Sequence, residues 1–179
     1  VMYDGTDLGE EMNTVNTGIV VKMAKKYAAS VEGEIGSMGT REDGTGVSLS
    51  DDESIYTDPE AAGRFAEETG IDALACAFGT VHGFYVKEPR LDFERLSAIN
   101  TRVAVPLVMH GGSGVSEADF EKVISLGIRK INYYTYMAQA GKIAVENMEP
   151  TKFYHDIEVT AEEAIRADAK KAMCVFARR

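Results

Sequence analysis

Short apolar runs alternate with helical patterns along most of this chain, and that alternation is the feature that most constrains its fold. The middle three of five predicted strands are close to continuously apolar, which is typical of strands covered on both faces. Strands that alternate with helices form βα units around a parallel sheet, so the sequence predicts an α/β protein. The predicted strands are residues 1–4, 30–35, 73–78, 105–110 and 130–133.

Two of the predicted helices have clear start and stop signals. Asp58 suits an N-cap, Pro59 the first helical position and Gly70 the stop of a helix near residues 59–69. Ser116 suits a second N-cap, and Gly127 a second stop. Further helical patterns complete the βα units, near residues 14–28, 92–99, 136–148 and 160–174.

Length and composition indicate one globular domain over residues 1–179, with 45% hydrophobic residues. No apolar run approaches the roughly 20 residues of a transmembrane helix, so we expect a soluble, cytoplasmic protein. The formal charge of −10 disfavours nucleic acids and anionic membranes as partners. Cys76 and Cys174 lie far apart in apolar surroundings, and we predict that both are buried, reduced thiols.

Two of the three histidines, His82 and His110, lie at the ends of consecutive predicted strands, and glycine follows each. Glycine lets a ligand approach the backbone closely. Because the carboxyl ends of parallel strands meet at one edge, the two rings can converge on one ion. Catalytic zinc uses three protein ligands, often imidazoles, plus an open position. The pair therefore predicts a metal site, whereas His155 lacks this context and is predicted at the surface.

A glycine-rich turn, residues 111–114 (GGSG), leads from the second of these strands toward the helix capped by Ser116. The N–H groups of such a turn and the dipole of the helix suit a phosphate group. Asn132 and Thr135 follow the last predicted strand, one of the two strand ends around which barrels often build phosphate sites. Together, these features predict a phosphorylated substrate.

Acidic residues lie along or after other predicted strands. Glu32 and Glu34 have the period-two spacing that puts both side chains on one face, which in a barrel is the interior. Buried carboxylates need a metal, a cation or hydrogen-bond donors to offset their desolvation. Asp4 ends the first predicted strand. Glu42 lies in the long irregular stretch 37–56, which we predict to be a functional loop because compact domains seldom keep such loops otherwise.

Over nearly the whole chain, these motifs resemble those of the class II fructose- and tagatose-bisphosphate aldolase family. Their order and spacing make the resemblance specific. It implies a (β/α)8 TIM barrel, of which this chain supplies about strands four to eight and their helices. The matching stretches are VMYDG, VEGEIGSMG followed by REDG, YTDPEAAGRFAEETGIDALACAFGTVHGFY, RLDFERL, PLVMHGGSGVSEADFEKVISLGIRKIN and Thr135.

The resemblance also implies zinc-dependent, reversible cleavage of fructose or tagatose 1,6-bisphosphate to dihydroxyacetone phosphate and glyceraldehyde 3-phosphate. Glu42 matches the loop carboxylate that moves a substrate proton. Family members are usually homodimers or homotetramers, and we expect the same here. The implied zinc ligands are His82 and His110, with Glu34 and Asp4 as carboxylates of a second or displaced metal position. The implied substrate and phosphate contacts are Gly83, Gly111, Gly112, Ser113, Asn132 and Thr135. The implied site for a monovalent cation, Na⁺ or K⁺, is formed by backbone groups of Val81, Gly83 and Gly111.

In the family, a strand upstream of the position of Val1 carries an Asp-His pair that supplies a proton donor and the third zinc ligand. We expect that pair, and three further βα units, in a preceding segment. Without them, the 179 residues are predicted to bind zinc weakly and to be inactive. Two other interpretations stay open. The chain could be a non-catalytic partial barrel that binds phosphate or a partner, or the barrel could belong to a phosphosugar isomerase.

Overall fold

The computed structural model describes residues 1–36, 40–41, 56–80, 82–83 and 89–177, with backbone alone for 40–41 and 82–83. The strands are β1 (Met2–Tyr3), β2 (Glu32–Ile35), β3 (Thr40–Arg41), β4 (Ala73–Cys76), β5 (His82–Gly83), β6 (Leu107–Met109) and β7 (Ile128–Ile131). The helices are α1 (Glu10–Lys25), α2 (Pro59–Thr69), α3 (Phe93–Arg102), α4 (Glu117–Ser125), α5 (Thr135–Glu146) and α6 (Tyr154–Phe176), and a short 3-10 helix, Thr6–Leu8, precedes α1.

Five strands form one parallel sheet in the order β1-β2-β4-β6-β7, and β3 pairs with β5 in a separate parallel pair. Each strand of the large sheet lies beside the next strand of that sheet along the chain, and a helix lies in each connection. This is the arrangement of part of a (β/α)8 barrel, so the predicted fold class is confirmed. The last strand begins two residues earlier than predicted, at Ile128 rather than 130.

The hydrophobic core lies between the sheet and the helices that cover it. Gly33 of β2 belongs to this layer, because a Cβ there would lie 3.0 Å from the ring of Phe65 in α2 and 3.2 Å from Ile71. Glycine therefore lets α2 pack closely on the sheet. The largest fully buried side chains of the core are Phe65, Leu74, Phe78, Leu96, Ile99, Leu107, Met109, Val123 and Ile128.

The predicted N-caps of two helices are confirmed. The Asp58 carboxylate accepts a hydrogen bond from the N–H of Ala61 at 2.8 Å. The Ser116 hydroxyl accepts one from the N–H of Asp119 at 3.1 Å. Gly70 ends α2 in the left-handed conformation, with φ of 68°, as its sequence position predicts.

Two other helices begin earlier than predicted. Helix α1 begins at Glu10 rather than near residue 14, and α6 begins at Tyr154 rather than near residue 160. Their N-cap residues are Gly9 and Phe153, and neither forms a side-chain cap hydrogen bond. Without a cap signal, only the apolar periodicity indicates where such a helix begins.

The prediction that both cysteines are buried is wrong for Cys174. Cys76 is fully buried in the core, but Cys174 is exposed on α6. Helix α6 packs mainly on α5 and has no buried residue, so much of its surface faces solvent. Along the described part of the chain, every helix is too short or too polar to cross a membrane.

Thr57 joins the carboxyl ends of β2 and β4. Its hydroxyl donates a hydrogen bond to the carbonyl of Ile35 at 2.6 Å and accepts one from the N–H of Ala77 at 2.8 Å. Its own N–H donates to the carbonyl of Ala77 at 2.9 Å. Gly36, with φ of 91°, lies so close that a Cβ there would overlap the Thr57 hydroxyl. The chain therefore leaves the sheet at Gly36, and Thr57 is hydrogen-bonded to the ends of β2 and β4 just before α2 begins.

Candidate active site at the carboxyl ends of the strands

The inner face of the sheet carries polar side chains, whereas the face toward the helices is apolar. Alternate residues of a strand point to one face, so Glu32 and Glu34 lie on the inner face of β2. Strand β4 lies between β2 and β6, and Ala75 pairs in register with Glu34. This small side chain on the middle strand leaves room for the carboxylates of β2 to reach His110, which follows β6.

His110 lies between the two carboxylates. Its Nε2 is 2.8 Å from Oε1 of Glu32, and its Nδ1 is 3.1 Å from Oε2 of Glu34. The side chains of His110 and Glu34 are each 3% exposed, and that of Glu32 is 9% exposed. On the far side of Glu32, Nζ of Lys130 is 2.9 Å from Oε2. We call these four residues, Glu32, Glu34, His110 and Lys130, the His110 cluster.

The contacts within the His110 cluster shift the pKa values of its members. Burial by itself lowers the pKa of His110, but the hydrogen bond to Glu32 and the nearby Glu34 outweigh burial and raise the pKa to about 9. Burial raises the pKa of Glu32, but hydrogen bonds from His110 and Lys130 outweigh burial and lower it. The ring of His110 therefore holds a proton more tightly than an ordinary imidazole, whereas a metal ion needs the neutral ring.

One atom of the cluster suits a metal ion in particular. Oε2 of Glu34 is buried and faces Nδ1 of His110 at 3.1 Å, but it accepts no hydrogen bond of good geometry from the described residues. Two ligands of one tetrahedral zinc ion, each about 2.0–2.2 Å from the metal, lie roughly 3.3–3.6 Å apart. The imidazole nitrogen and the carboxylate oxygen are also donors that zinc prefers. These residues therefore fit a zinc ion.

The described residues do not complete a metal site by themselves. Among them, no three His, Cys, Asp or Glu side chains are arranged to hold a metal ion. His82 and Gly83 form β5, where His82 pairs in register with Thr40 of β3. Their side chains, together with Val81 and Glu42 as a whole, lie outside the described residues. A full ligand set therefore needs at least one side chain beyond them.

Asp4 is exposed at the end of β1, one residue beyond the Tyr3–Gly33 pair that joins β1 to β2, so it follows the register toward Glu34. Its Oδ1 accepts hydrogen bonds from the N–H and the hydroxyl of Thr6, at 3.0 and 2.7 Å. In the part of the chain that the structure describes, no hydrogen bond or ion pair joins Asp4 to the cluster. His155 is 70% exposed, 3.2 Å from Asp156, in agreement with its predicted surface position.

The predicted phosphate turn, residues 111–114, lies against the start of α5. The Ser113 hydroxyl accepts a hydrogen bond from the N–H of Tyr136 at 3.4 Å, and Ser113 is buried. The N–H of Gly112 donates to the carbonyl of Asn132 at 3.0 Å. The turn after β6 and the residues after β7, including Thr135 at the first position of α5, are therefore neighbours.

Glycine is required at several points of this turn. A Cβ at Gly112 would lie 2.8 Å from Cγ2 of Ile131, so a larger residue would push the turn away from β7. Gly111 and Gly114 have φ of 65° and 92°, in the left-handed region that favours glycine. Backbone in that conformation can direct neighbouring N–H groups toward one anion.

A cavity of about 410 Å³ lies near the carboxyl end of β2, between the starts of α1 and α2. Its wall includes Asn13, Gly36, Tyr56 and Thr57, but no member of the His110 cluster. His110 and Glu32, whose pKa values are shifted, and the buried Oε2 of Glu34 lie outside this cavity. We therefore place the candidate chemistry at the His110 cluster.

Neither the role of Lys130 nor the pairing of Glu32 with His110 is predicted from the sequence. Lys130 precedes Asn132 by two residues, so period-two spacing puts both side chains on the same face of their strand. A lysine that shares the inner face with Asn132, in a barrel whose inner face also carries two glutamates, is the sequence signal that could have identified Lys130. The pairing itself depends on which strands become neighbours.

Comparison with known proteins agrees with this architecture. A sequence model for "Fructose-bisphosphate aldolase class-II" matches residues 1–179. The chain belongs to the class II fructose-bisphosphate aldolase family. One similar member of this aldolase family is the D-tagatose-1,6-bisphosphate aldolase subunit GatY of Klebsiella oxytoca. It is 39% identical over 173 residues, which are 97% of this chain and 59% of the relative.

Two solved structures of aldolases resemble this one. The YdjI aldolase from Escherichia coli K12 has a TM-score of 0.82 and 36% identity, over 98% of this chain and 60% of that chain. A putative fructose-1,6-biphosphate aldolase from Coccidioides immitis has a TM-score of 0.87 and 29% identity, over 98% of this chain and 62% of that chain. The chain thus spans about 60% of the length of these relatives.

Proposed function

We propose that the full-length protein is a zinc-dependent ketose-bisphosphate aldolase. Its reaction is the reversible cleavage of fructose or tagatose 1,6-bisphosphate to dihydroxyacetone phosphate and glyceraldehyde 3-phosphate. The observation that carries the proposal is the buried pair of His110 and Glu34, whose facing atoms suit one zinc ion. The names of the relatives from K. oxytoca and C. immitis support both ketoses as candidates.

Nδ1 of His110 and a carboxylate oxygen of Glu34 are the proposed zinc ligands among the described residues. His82 is a further proposed ligand, and Asp4 is proposed for a second or displaced metal position. When bound, zinc supplies the Lewis-acid charge that polarises a substrate carbonyl. To hold the ion, Nδ1 of His110 would have to be without a proton, while the hydrogen bond between Nε2 and Glu32 would stay in place.

The phosphate of the substrate is proposed to bind at the turn 111–114 and the residues after β7. The whole chain has a formal charge of −10, so attraction for a phosphate must come from local groups. The left-handed backbone at Gly111 and Gly114, which can direct neighbouring N–H groups toward an anion, and the positive end of the α5 dipole are the proposed sources. Ser113, Asn132 and Thr135 add polar side chains at the same edge.

Two other proposed roles rest on the family resemblance alone. Glu42 is proposed to move a proton at the substrate carbon next to the carbonyl. Backbone groups of Val81, Gly83 and Gly111 are proposed to hold a monovalent cation, Na⁺ or K⁺.

The test is an assay of the full-length protein with each ketose bisphosphate, before chelation, after it and after zinc is restored. We expect cleavage to be lost with zinc and recovered with it. Activity that survives complete zinc removal, or substrate trapped on a lysine by borohydride, would contradict the proposal. An isomerised phosphosugar in place of triose phosphates would favour the isomerase instead. Ser113→Ala should raise KM while the zinc content stays unchanged.

A further inference from the structure

A row of polar contacts continues from His110 on the side away from Glu34. Nε2 of His110 is 2.8 Å from Oε1 of Glu32, and Oε2 of Glu32 is 2.9 Å from Nζ of Lys130. Nζ of Lys130 also donates a hydrogen bond to Oδ1 of Asn132 at 2.7 Å. The row therefore connects a proposed zinc ligand to a proposed substrate contact.

We propose that Glu32 is a positioning residue that reserves Nδ1 of His110 for the metal ion, and that Lys130 holds Glu32 in place. This inference rests on the proposed function. When a carboxylate accepts a hydrogen bond from one imidazole nitrogen, that nitrogen keeps its proton and the other is left to coordinate. Glu32 occupies Nε2, so the nitrogen that faces Glu34 is Nδ1.

The surroundings of Glu32 favour this role over that of a stabilising ion pair. A buried ion pair is weak evidence for stability, because desolvation of the charges offsets much of their attraction. Glu32 is almost fully buried, yet its two oxygens are divided between His110 and Lys130. Lys130 is 51% exposed, but Glu32 and Asn132 fix its ammonium group from two sides.

The experiment measures zinc binding rather than turnover. Glu32→Ala, Glu32→Gln and Lys130→Met are compared with the wild type in the full-length protein, by competition with a chromophoric chelator. The matched control is Lys142→Met, which breaks an exposed ion pair with Glu146, 3.1 Å long, on α5. The visible spectrum of the cobalt-substituted proteins reports ligand geometry, and ¹⁵N NMR of the His110 ring reports which nitrogen carries the proton.

We expect Glu32→Ala to weaken zinc binding by about 10- to 100-fold, the usual effect of removing an outer partner of a ligand. Glu32→Gln should recover part of the loss because its amide oxygen can still accept from Nε2, and Lys130→Met should weaken binding more than Lys142→Met does. The ring should carry its proton on Nε2 in the zinc form, and the cobalt spectrum should change in Glu32→Ala.

Several results would overturn the inference. Zinc binding and cobalt spectrum unchanged in Glu32→Ala would remove the role of Glu32, and a proton on Nδ1 of the zinc form would reverse the assignment of nitrogens. In both cases the proposed function would stand. A wild-type protein that binds no zinc would overturn the proposed function together with this inference.

A second inference comes from the outer surface of α1. A row of large apolar side chains, each about half exposed, follows the spacing of one helix face. The row lies opposite the buried residues of α1, so it points away from the sheet. Its members on α1 are Met12, Val15, Ile19 and Met23, with Leu8 of the preceding 3-10 helix beyond its start, and the buried residues on the other side are Asn13, Thr17, Val21 and Ala24.

We infer that this row packs against the same row of a second copy of the chain, with the two helices antiparallel. A neighbouring helix of the same barrel would lie beside α1 rather than over its outward face. Exposed Glu11 lies in the first turn of α1 and exposed Lys22 in the last. A two-fold axis through the middle of an antiparallel pair brings Glu11 of each copy near Lys22 of the other.

Sedimentation equilibrium of the full-length protein tests this interface. Ile19→Glu should raise the dimer dissociation constant at least about 10-fold, because it puts a charge at the centre of an apolar contact. The control is Ile143→Glu on α5, at a position of almost equal exposure, 49% against 50%. Glu11→Lys should weaken the dimer, and Lys22→Glu added to it should restore it.

A monomeric wild type would overturn this second inference. So would an Ile19→Glu variant that dissociates no more than Ile143→Glu. If Ile19→Glu lowers Tm but leaves the mass unchanged, the row is covered by the protein's own chain, and the inference is also wrong.

Discussion

The two faces of the sheet are built from alternate residues of the same strands, yet their buried side chains have different contacts. Toward the helices, Leu74 and Leu107 belong to a continuous apolar core. On the inner face, Glu34 and His110 are as deeply buried but contact other charged groups. Burial of apolar side chains drives folding, whereas burial of charges opposes it unless they are paired. The helix-facing side therefore stabilises the fold, and the inner side holds reactive groups at a cost in stability.

The largest expected effect is on turnover and comes from the inner face. In the full-length protein, His110→Ala should lower kcat at least about 10³-fold, since metal charge stabilisation is worth several kcal/mol and each 1.36 kcal/mol is tenfold in rate. Bound zinc, measured by elemental analysis, should fall in parallel. His155→Ala is the control, and both quantities should keep their wild-type values. If His110→Ala kept its zinc and its turnover, the inner face would not be the reactive side of the sheet.

On the helix-facing side, the expected effect is on stability instead. Phe65→Ala should lower the free energy of unfolding by about 3–5 kcal/mol, because it leaves a cavity between α2 and the sheet. Phe153→Ala, at an exposed phenylalanine, should change it by no more than about 0.5 kcal/mol. Denaturant titration measures both. Phe65→Ala should keep its zinc affinity while folded, and a loss of affinity in the folded protein would show that the faces are coupled.

Where the two faces meet at the strand ends, Thr57→Val should have an intermediate effect. The variant keeps the shape of the side chain but leaves the Ile35 carbonyl and the Ala77 N–H without this partner, at a cost of about 1–3 kcal/mol. Thr101→Val serves as control, because the Thr101 hydroxyl donates to the carbonyl of Ser97 at an exposed site. Equal effects of the two variants on the unfolding midpoint would contradict the role of Thr57.

The smallest expected effect on stability is that of Cys174→Ser, within about 0.5 kcal/mol, because the side chain is exposed.

The two cysteines, Cys76 and Cys174, also report whether solvent and reagents reach the helix-facing core. Burial, followed by the charge of Glu34, raises the pKa of Cys76 to about 12, so its reactive thiolate is absent at neutral pH. A thiol reagent should therefore label Cys174 alone in the native protein and both cysteines in denaturant. Rapid native labelling of Cys76 would show that this layer opens.

Much of the fold could be predicted from the sequence, because many signals are local. Asp58 and Ser116 cap helices through contacts three residues away, and both predictions are confirmed. The starts of α1 and α6 were missed by four and six residues, since neither N-cap side chain forms a cap hydrogen bond. Cys174 was misjudged because its side chain lies on the exposed surface of α6, although its apolar neighbours Val175 and Phe176 pack against the core.

The site was predictable only in part. Glycine and histidine at strand ends indicate a metal and a phosphate, and period-two spacing indicates that Glu32 and Glu34 share a face. The contacts of His110 with both carboxylates and of Glu32 with Lys130 depend on the order of strands and on small side chains such as Ala75 between them. No local pattern in the sequence encodes these distances.

The hydrogen bonds of Thr57 also have a consequence for how this fold can vary. They hold Gly36, where the chain leaves the sheet, in contact with Thr57, which precedes α2. The entropy of closing a loop between fixed ends grows only with the logarithm of its length, so doubling that length costs only about 0.6 kcal/mol. As far as fold stability is concerned, the connection that contains Glu42 can therefore change in length at little cost while the five strands stay in register.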